Sequence, residues 1–320
     1  MTRLLRIVAI ILVASLPIGY GVASAVVWDK LTKVDGACHA AWATNDPTHF
    51  EEAGFDTTPY LMPAPGVVTI PSRDAGIQIS GWWVPANDPT APAVVVVHGH
   101  TACKRDPDVL LPAGMLHRAG MSVLLIDLRD HGDSTDEDGR YAGGTEEYRD
   151  VLGAWDWLRT AQSMPADRIG LLGISLGAAT VLIASGEERG VVATWEDSSY
   201  ADISVAIRAE LDRNGYPQFL EFGGVAMARL ISGDDLHARS PLTAVSKLTG
   251  RKLFITHGSA DDRLSVEYAH RLIAAAEVAG VDIASWIVPK AGHTQAMRVA
   301  REQYEQRLVD FFDGALSSGA

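Results

Sequence analysis

Cysteine is almost missing from this chain. Its 320 residues contain two, Cys38 and Cys103, too few to staple a small fold together with a disulfide framework. They leave two alternatives: one bridge, if the domain lies in an oxidising compartment, or two free thiols. No Cys/His cluster has structural-zinc spacing, and Cys38-His39 has no second pair to complete it. Basic charge is short as well. There are 27 Lys and Arg against 40 Asp and Glu, a net charge of −13 at pH 7, which argues against a general electrostatic attraction to nucleic acid. No internal repeat and no long low-complexity run is visible; residues 133–138 form only a short acidic loop.

What is present is apolar. Hydrophobic residues make up 47% of the chain and glycines number 30, ample for one large α/β domain or two smaller ones. Residues 7–28 carry no charge and follow Arg3 and Arg6. That length crosses a bilayer core, and the basic start places the N-terminus inside and the rest outside. Two readings compete. Ala23-Ser24-Ala25 offers an A-x-A-like cleavage site for a secretory signal peptide; alternatively the segment stays as a transmembrane anchor. Either way the chain is expected to be exported or tethered to a membrane. The expected organisation is a signal peptide or anchor over 1–28, a flanking linker over 29–66 with some helix, and one α/β domain over 67–320.

Within that domain, strand and helix signals alternate. Residues 67–70 and 77–84 are expected to pair as a hairpin. Residues 93–97, Ala-Val-Val-Val-Val, form a β-branched run of the kind found in strands covered on both faces. Further strands are expected at 122–126, 167–172, 191–195, 252–256 and 283–288. Helices are expected at 107–119, 146–160, 178–184, 266–279 and from about 295 to 316. This alternation argues for βαβ units, a mostly parallel twisted sheet with helices on both faces, and ligands at the C-terminal strand ends. The regularity breaks over 199–250, which has helical pieces at 203–211 and 219–230 and no strand. It is expected to be a small helical lid, ended by Ser240-Pro241. Phe219, Phe222, Met227 and Leu230 either line the pocket beneath it or pack it down.

Gly173-Ile174-Ser175-Leu176-Gly177 stands between a strand and a helix, the context in which a G-x-S-x-G serine becomes a nucleophile. Ser175, Asp261 and His293 each follow a different strand, so a parallel sheet gathers them on one edge. The chemistry needs that set. Serine attacks only if a base takes its proton; His293 is the candidate base, and Asp261 would hold the imidazole tautomer and stabilise its charged form. Asp262 is adjacent, so the residues alone leave the choice of acid open.

The chain resembles the α/β-hydrolase superfamily over roughly 67–316. The resemblance is carried by His98-Gly99-His100-Thr101, by 127–134 (Asp-Leu-Arg-Asp-His-Gly-Asp-Ser), by the serine motif, by His257-Gly258-Ser259-Ala260-Asp261 and by Gly292-His293. The short insertion and the Ser-Pro before the acid strand are similar to the bacterial peptidase-like and dienelactone-hydrolase-like branch. The resemblance implies that the backbone N–H groups of Leu176 and His100 form the oxyanion hole, with Thr101 as the fallback for the second. Its His-Gly-x-x-Asp spacing favours Asp261 over Asp262. His98 is expected to support the oxyanion loop by hydrogen bonding rather than to react, and Asp127, His131 and His257 to be structural. A rival metal set, H-x-H-x-D-H opening at His98, fails because Ala102 and Cys103 stand where Asp and His belong. The expected activity is hydrolysis of an ester, thioester or amide through an acyl-enzyme, with no cofactor and no metal. A peptidase or acyltransferase with the same triad, and a non-catalytic envelope binding protein on the same fold, are the alternatives. The expected partner is a small-molecule or peptide acyl substrate; the oligomeric state is not legible.

Overall fold

Eight strands form a single sheet in a computed structural model that describes residues 3–34 and 38–316, with side chains from Ser15 onward. The strands are β1 (Gly66–Pro71), β2 (Gln78–Val84), β3 (Ala93–Val97), β4 (Ser122–Ile126), β5 (Ile169–Ile174), β6 (Ala193–Asp197), β7 (Lys252–Gly258) and β8 (Asp282–Val288). Their order is β1-β2-β4-β3-β5-β6-β7-β8. β2 runs antiparallel to both of its neighbours, and every pairing from β4 to β8 is parallel.

The helices are α1 (Arg3–Thr32), α2 (Pro107–Arg118), α3 (Tyr148–Thr160), α4 (Leu176–Glu187), α5 (Ile203–Arg213), α6 (Leu220–Met227), α7 (Pro241–Val245), α8 (Glu267–Val278), α9 (Ala296–Val299) and α10 (Arg301–Leu316). The β-branched run of β3 shows why the sheet is covered twice. Val94 and Val96 pack into a core with α2 and α10, and Val95 and Val97 into a second core with α3 and α4. Successive side chains point to opposite faces of a strand, so a run with no polar member demands helices on both sides.

The 29–66 segment is more than a linker. Phe50, Tyr60 and Met62 are buried in the α2–α10 core, and Cys38 is bonded to Cys103, so of the two alternatives the bridge is the one present. The expected terminal helix is interrupted at Ala300 (φ −138°, ψ 52°), which divides it into α9 and α10. At Ser240-Pro241, where the lid is expected to end, a new helix starts: Ser240 caps α7 through a capping box with Thr243, and Pro241 occupies its first turn.

The lid contains α5 and α6, followed by a one-turn continuation over Ala228–Ser232. Its apolar residues depart from expectation. Phe219, Phe222 and Leu230 are mostly exposed to solvent, with Phe219 stacked on Tyr20 of α1, and Met227 is half-buried. What holds the lid instead is α1. Ser24 and Val27 are fully buried against α6, and a Cβ on Gly223 would overlap the Ser24 hydroxyl, so only glycine permits this approach of the two helices. The uncharged stretch expected to be a signal or anchor thus extends as helix to the α/β domain. The side chains of its residues 7–14 lie outside the described ones, and among the described residues no helix is long and apolar enough to cross a membrane.

Candidate active site

The serine of the G-x-S-x-G stretch sits between the last residue of β5 and the first of α4. Its backbone is in a region that side-chain-bearing residues rarely adopt, φ 55° and ψ −115°, a conformation that costs on the order of 1–3 kcal/mol. The turn is held by the Ser175 N–H donating to the Asp197 carbonyl at 2.8 Å. The flanking glycines make it possible: a Cβ on Gly173 would overlap the Gly177 carbonyl, and one on Gly177 would overlap the carbonyls of Val97 and His98. As N-terminal residue of α4, Leu176 presents an N–H with no intrahelical acceptor.

His293 lies in the loop between β8 and α9. Its Nε2 is 2.9 Å from the Ser175 hydroxyl, and its Nδ1 is 2.8 Å from Asp261 Oδ2. The other oxygen of Asp261 accepts the N–H groups of Arg263 (2.9 Å) and Leu264 (2.8 Å). Burial alone would raise the Asp261 carboxyl, but hydrogen bonds from His257 and His293 outweigh it and hold the group well below the ordinary carboxylate range. Asp262 points away: its side chain is 90% exposed and lies 3.6 Å from Arg213. Of the two adjacent acids, Asp261 is the one that meets the histidine.

The loop after β3 closes the site from the other side. Gly99 packs directly on Ser175, with its Cβ position 3.3 Å from that of the serine. His98 is fully buried and bridges two loops, Nδ1 donating to the Gly99 carbonyl at 2.7 Å and Nε2 accepting the Leu128 N–H at 3.0 Å. Burial and the nearby His131 push it far toward the neutral form, which is the only form able to donate at one nitrogen and accept at the other. The 127–134 loop is pinned by a buried ion pair: Asp127 accepts the Lys104 N–H at 2.7 Å and pairs with the Lys104 ammonium, which also reaches Asp133. His100 faces the cavity, its ring 4.1 Å from that of Tyr141. Burial and the nearby His131 lower its pKa to about 3, so it is neutral around pH 7.

Beside Ser175, Leu176 and His100 lies a cavity of about 310 Å³, at the small end of the ~300–1,000 Å³ range of small-molecule sites. Its walls are mainly apolar: Ile203, Ile207 and Leu211 from α5, Leu264, and Val27 and Leu31 from α1. Lys30, Glu210, Asn214 and Arg263 add polar edges. The α1 wall is absent from the sequence-level picture, although the spacing of Val27, Lys30 and Leu31 places them on one helix face. Also missed is the support under the histidine loop. Ser198 Oγ accepts the Thr294 N–H at 3.3 Å and donates to Asp197 at 2.8 Å, and Asp197 also accepts the Tyr304 hydroxyl at 2.9 Å. His257 donates from Nε2 to the Leu264 carbonyl at 2.7 Å and lies 3.3 Å from Asp261 Oδ2. It is therefore part of the hydrogen-bonded surroundings of the acid as well as of the fold.

The comparisons with known proteins agree with this architecture. The model of the prolyl oligopeptidase family matches residues 112–319. An uncharacterized 31.7 kDa protein of Escherichia coli is 27% identical over 139 residues, 43% of this chain and 47% of that protein. The chain therefore spans about half the length of the first curated relatives it matches. An uncharacterized protein of Mycobacterium tuberculosis is 28% identical over 237 residues, 73% of this chain and 74% of its own. Among solved structures, the Pyrococcus furiosus esterase Pf2001 superposes with a TM-score of 0.64 at 21% identity, over 85% of this chain and 98% of the esterase. The Pyrococcus horikoshii acylaminoacyl peptidase superposes with a TM-score of 0.58 at 19% identity, over 81% of this chain and 43% of the peptidase. These likenesses, with the sheet order, show the α/β-hydrolase fold.

Proposed function

The chain belongs to the prolyl oligopeptidase family and is a hydrolase of the α/β class, and on that premise we propose that it cleaves a carboxylic ester or related acyl bond through an acyl-enzyme on Ser175. The observation that carries the reading is the unbroken hydrogen-bonded run from the Ser175 hydroxyl through His293 to Asp261, at 2.9 and 2.8 Å. In this mechanism His293 Nε2 takes the hydroxyl proton as Ser175 Oγ attacks the acyl carbon. Asp261 keeps the proton on Nδ1, so that Nε2 is free to accept, and stabilises the imidazolium that forms. The oxyanion of the tetrahedral intermediate is received by the backbone N–H groups of Leu176 and His100. One such donor is worth about 3–4 kcal/mol. Collapse expels the alcohol, which leaves with the proton held on His293. Water then attacks the acyl-enzyme by the same steps, its proton passing to His293 and back to Ser175 as the acid departs.

The apolar walls of the small cavity fit an acyl group of modest length better than a polar side chain. The test is a series of model esters of increasing acyl length, run beside aminoacyl amides, on wild type and Ala206→Phe. Ala206 lines the cavity, and a phenyl ring there shortens it. Esters should be hydrolysed faster than amides. The variant should lose at least about tenfold in kcat/KM on the longer esters, one filled site being worth about 1–3 kcal/mol, while retaining the shortest. Family membership favours one second reading, a peptidase with the same residues; faster turnover of the amides would select it.

For location, we propose that residues 7–28 are retained as a membrane anchor with the catalytic domain outside. The burial of Ser24 against Gly223 and the stacking of Tyr20 on Phe219 support retention, because cleavage after Ala25 would strip that part of the lid's packing surface. The Cys38–Cys103 bridge fits an oxidising compartment. N-terminal sequencing of the mature protein should find the segment intact; a start at Val26 would contradict retention.

A further inference from the structure

We infer that the outward end of the lid, at Phe219 and Phe222 of the α6 region, is a bilayer-docking surface that works together with α1. The lid residues on one helical face divide sharply. Leu220, Gly223, Gly224 and Ala228 face inward, while Phe219, Phe222, Ala226 and Leu230, at spacings of three and four, are all exposed. Two exposed phenylalanines at 60% and 69% of their surface are not explained by the fold, since neither packs on the core nor reaches the cavity.

The occupant is indicated by the helix beside them. Tyr20 stacks on Phe219 at 6.1 Å, Ser24 meets Gly223, and Val27 meets Gly224. So α1 and α6 run side by side in the same sense, and Phe219 and Phe222 sit at the end where α1 leaves the domain. Residues 15–20 of α1 are all exposed, among them Leu16 and Ile18, and the sequence continues toward the N-terminus without a charge as far as Ile7, behind Arg3 and Arg6. The apolar lid end is thus continuous with the segment proposed above to enter a bilayer, and the inference rests on that reading. An apolar face at such an exit point sinks into the headgroup boundary by roughly 5–10 Å. The loop just before Phe219 carries Asn214 and Tyr216, which line the cavity. Docking therefore brings that edge of the acyl pocket to the lipid surface.

The experiment uses the full-length protein reconstituted in phosphatidylcholine vesicles. Both native cysteines are bonded to each other, so a single introduced thiol can be labelled with an environment-sensitive fluorophore. Labels are placed by Leu16→Cys, Phe222→Cys, Leu230→Cys and Val278→Cys, all at exposed positions, and quenched by nitroxide-bearing phosphatidylcholine. The expected result is strong quenching at position 16, at least a halving of emission at 222, weaker quenching at 230, and none at 278 at the end of α8, a helix that packs on α7, β7 and β8. Quenching at 16 with none at 222 would overturn docking and leave the anchor reading standing. No quenching at 16 would overturn the anchor reading and docking with it. A blue-shifted label at 222 that lipid nitroxide does not quench would mean that a second copy of the chain covers the patch, and would also overturn the inference.

Discussion

Replacing Asp261 with asparagine tests the assignment of the acid where the sequence left two choices. The carboxylate accepts three N–H groups, those of Arg263 and Leu264 on Oδ1 and of His293 at 2.8 Å on Oδ2, and His257 Nε2 lies 3.3 Å from Oδ2. Asparagine can keep the two backbone bonds on its carbonyl oxygen. Its amide then presents N–H to His293 Nδ1, which must accept rather than donate. The imidazole proton moves to Nε2, and the lone pair that would take the Ser175 proton is gone. The loss combines a charge-assisted hydrogen bond with the stabilisation of the imidazolium, about 4–5.5 kcal/mol in total, or roughly 10³–10⁴-fold in kcat. Asp262→Asn removes only an exposed pair 3.6 Å from Arg213, worth about 0–1 kcal/mol, and should change kcat/KM by no more than a few-fold.

The assay is ester hydrolysis under saturating substrate, with thermal unfolding of each variant to show that it is folded. The stability comparison has its own sign. Because Asp261 is held below its unfolded value, its carboxylate contributes stability above pH 4, and that contribution is lost as pH falls through the depressed folded value. Asp261→Asn should therefore be less stable than wild type at pH 7, with the gap narrowing in acid. A loss of less than about tenfold in kcat for Asp261→Asn, or an equal loss for Asp262→Asn, would refute the reasoning, since a triad acid is expected to cost far more.

Two further outcomes are expected. Opening the Cys38–Cys103 bridge, by Cys38→Ser with Cys103→Ser, frees a loop of 65 residues in the unfolded chain; the loss in unfolding free energy should approach about 4 kcal/mol, and an unchanged denaturation midpoint would contradict it. Glu196 is fully buried in β6 with one carboxyl oxygen lacking a partner, and burial raises its pKa to about 8. A folded pKa above the unfolded one makes stability fall as pH rises from about 4.5 to 8. Glu196→Gln should flatten that slope in thermal denaturation, and an unaltered slope would show that Glu196 does not titrate there.

What the sequence could and could not show has physical causes. The turn that carries Ser175, the loop position of His293 and the parallel strands were legible because each depends on local pattern: a strand–turn–helix with glycines, and buried runs ending in polar loops. Strand order then brings residues 118 apart into contact without any further signal. Asp261 and Asp262 could not be separated by residue type, because the difference is one of direction, one side chain turned to His293 and the other to solvent. The α1 wall of the cavity was invisible because an apolar helix face looks the same whether it meets lipid or protein. For the same reason Phe219, Phe222 and Leu230 were expected inside the lid and lie outside it. The break at Ala300 carries no proline or glycine to announce it.

The central claim is that Ser175 is the nucleophile, activated by His293. A fluorophosphonate probe, which phosphorylates activated serines, tests it most directly when the labelled peptide is identified by mass spectrometry. The account predicts one modified peptide in the wild-type protein, carrying the adduct on Ser175, no labelling of Ser175→Ala, and labelling of His293→Ala slowed by orders of magnitude. A folded wild-type protein that does not react, or a Ser175→Ala variant that labels as well as wild type, would contradict it.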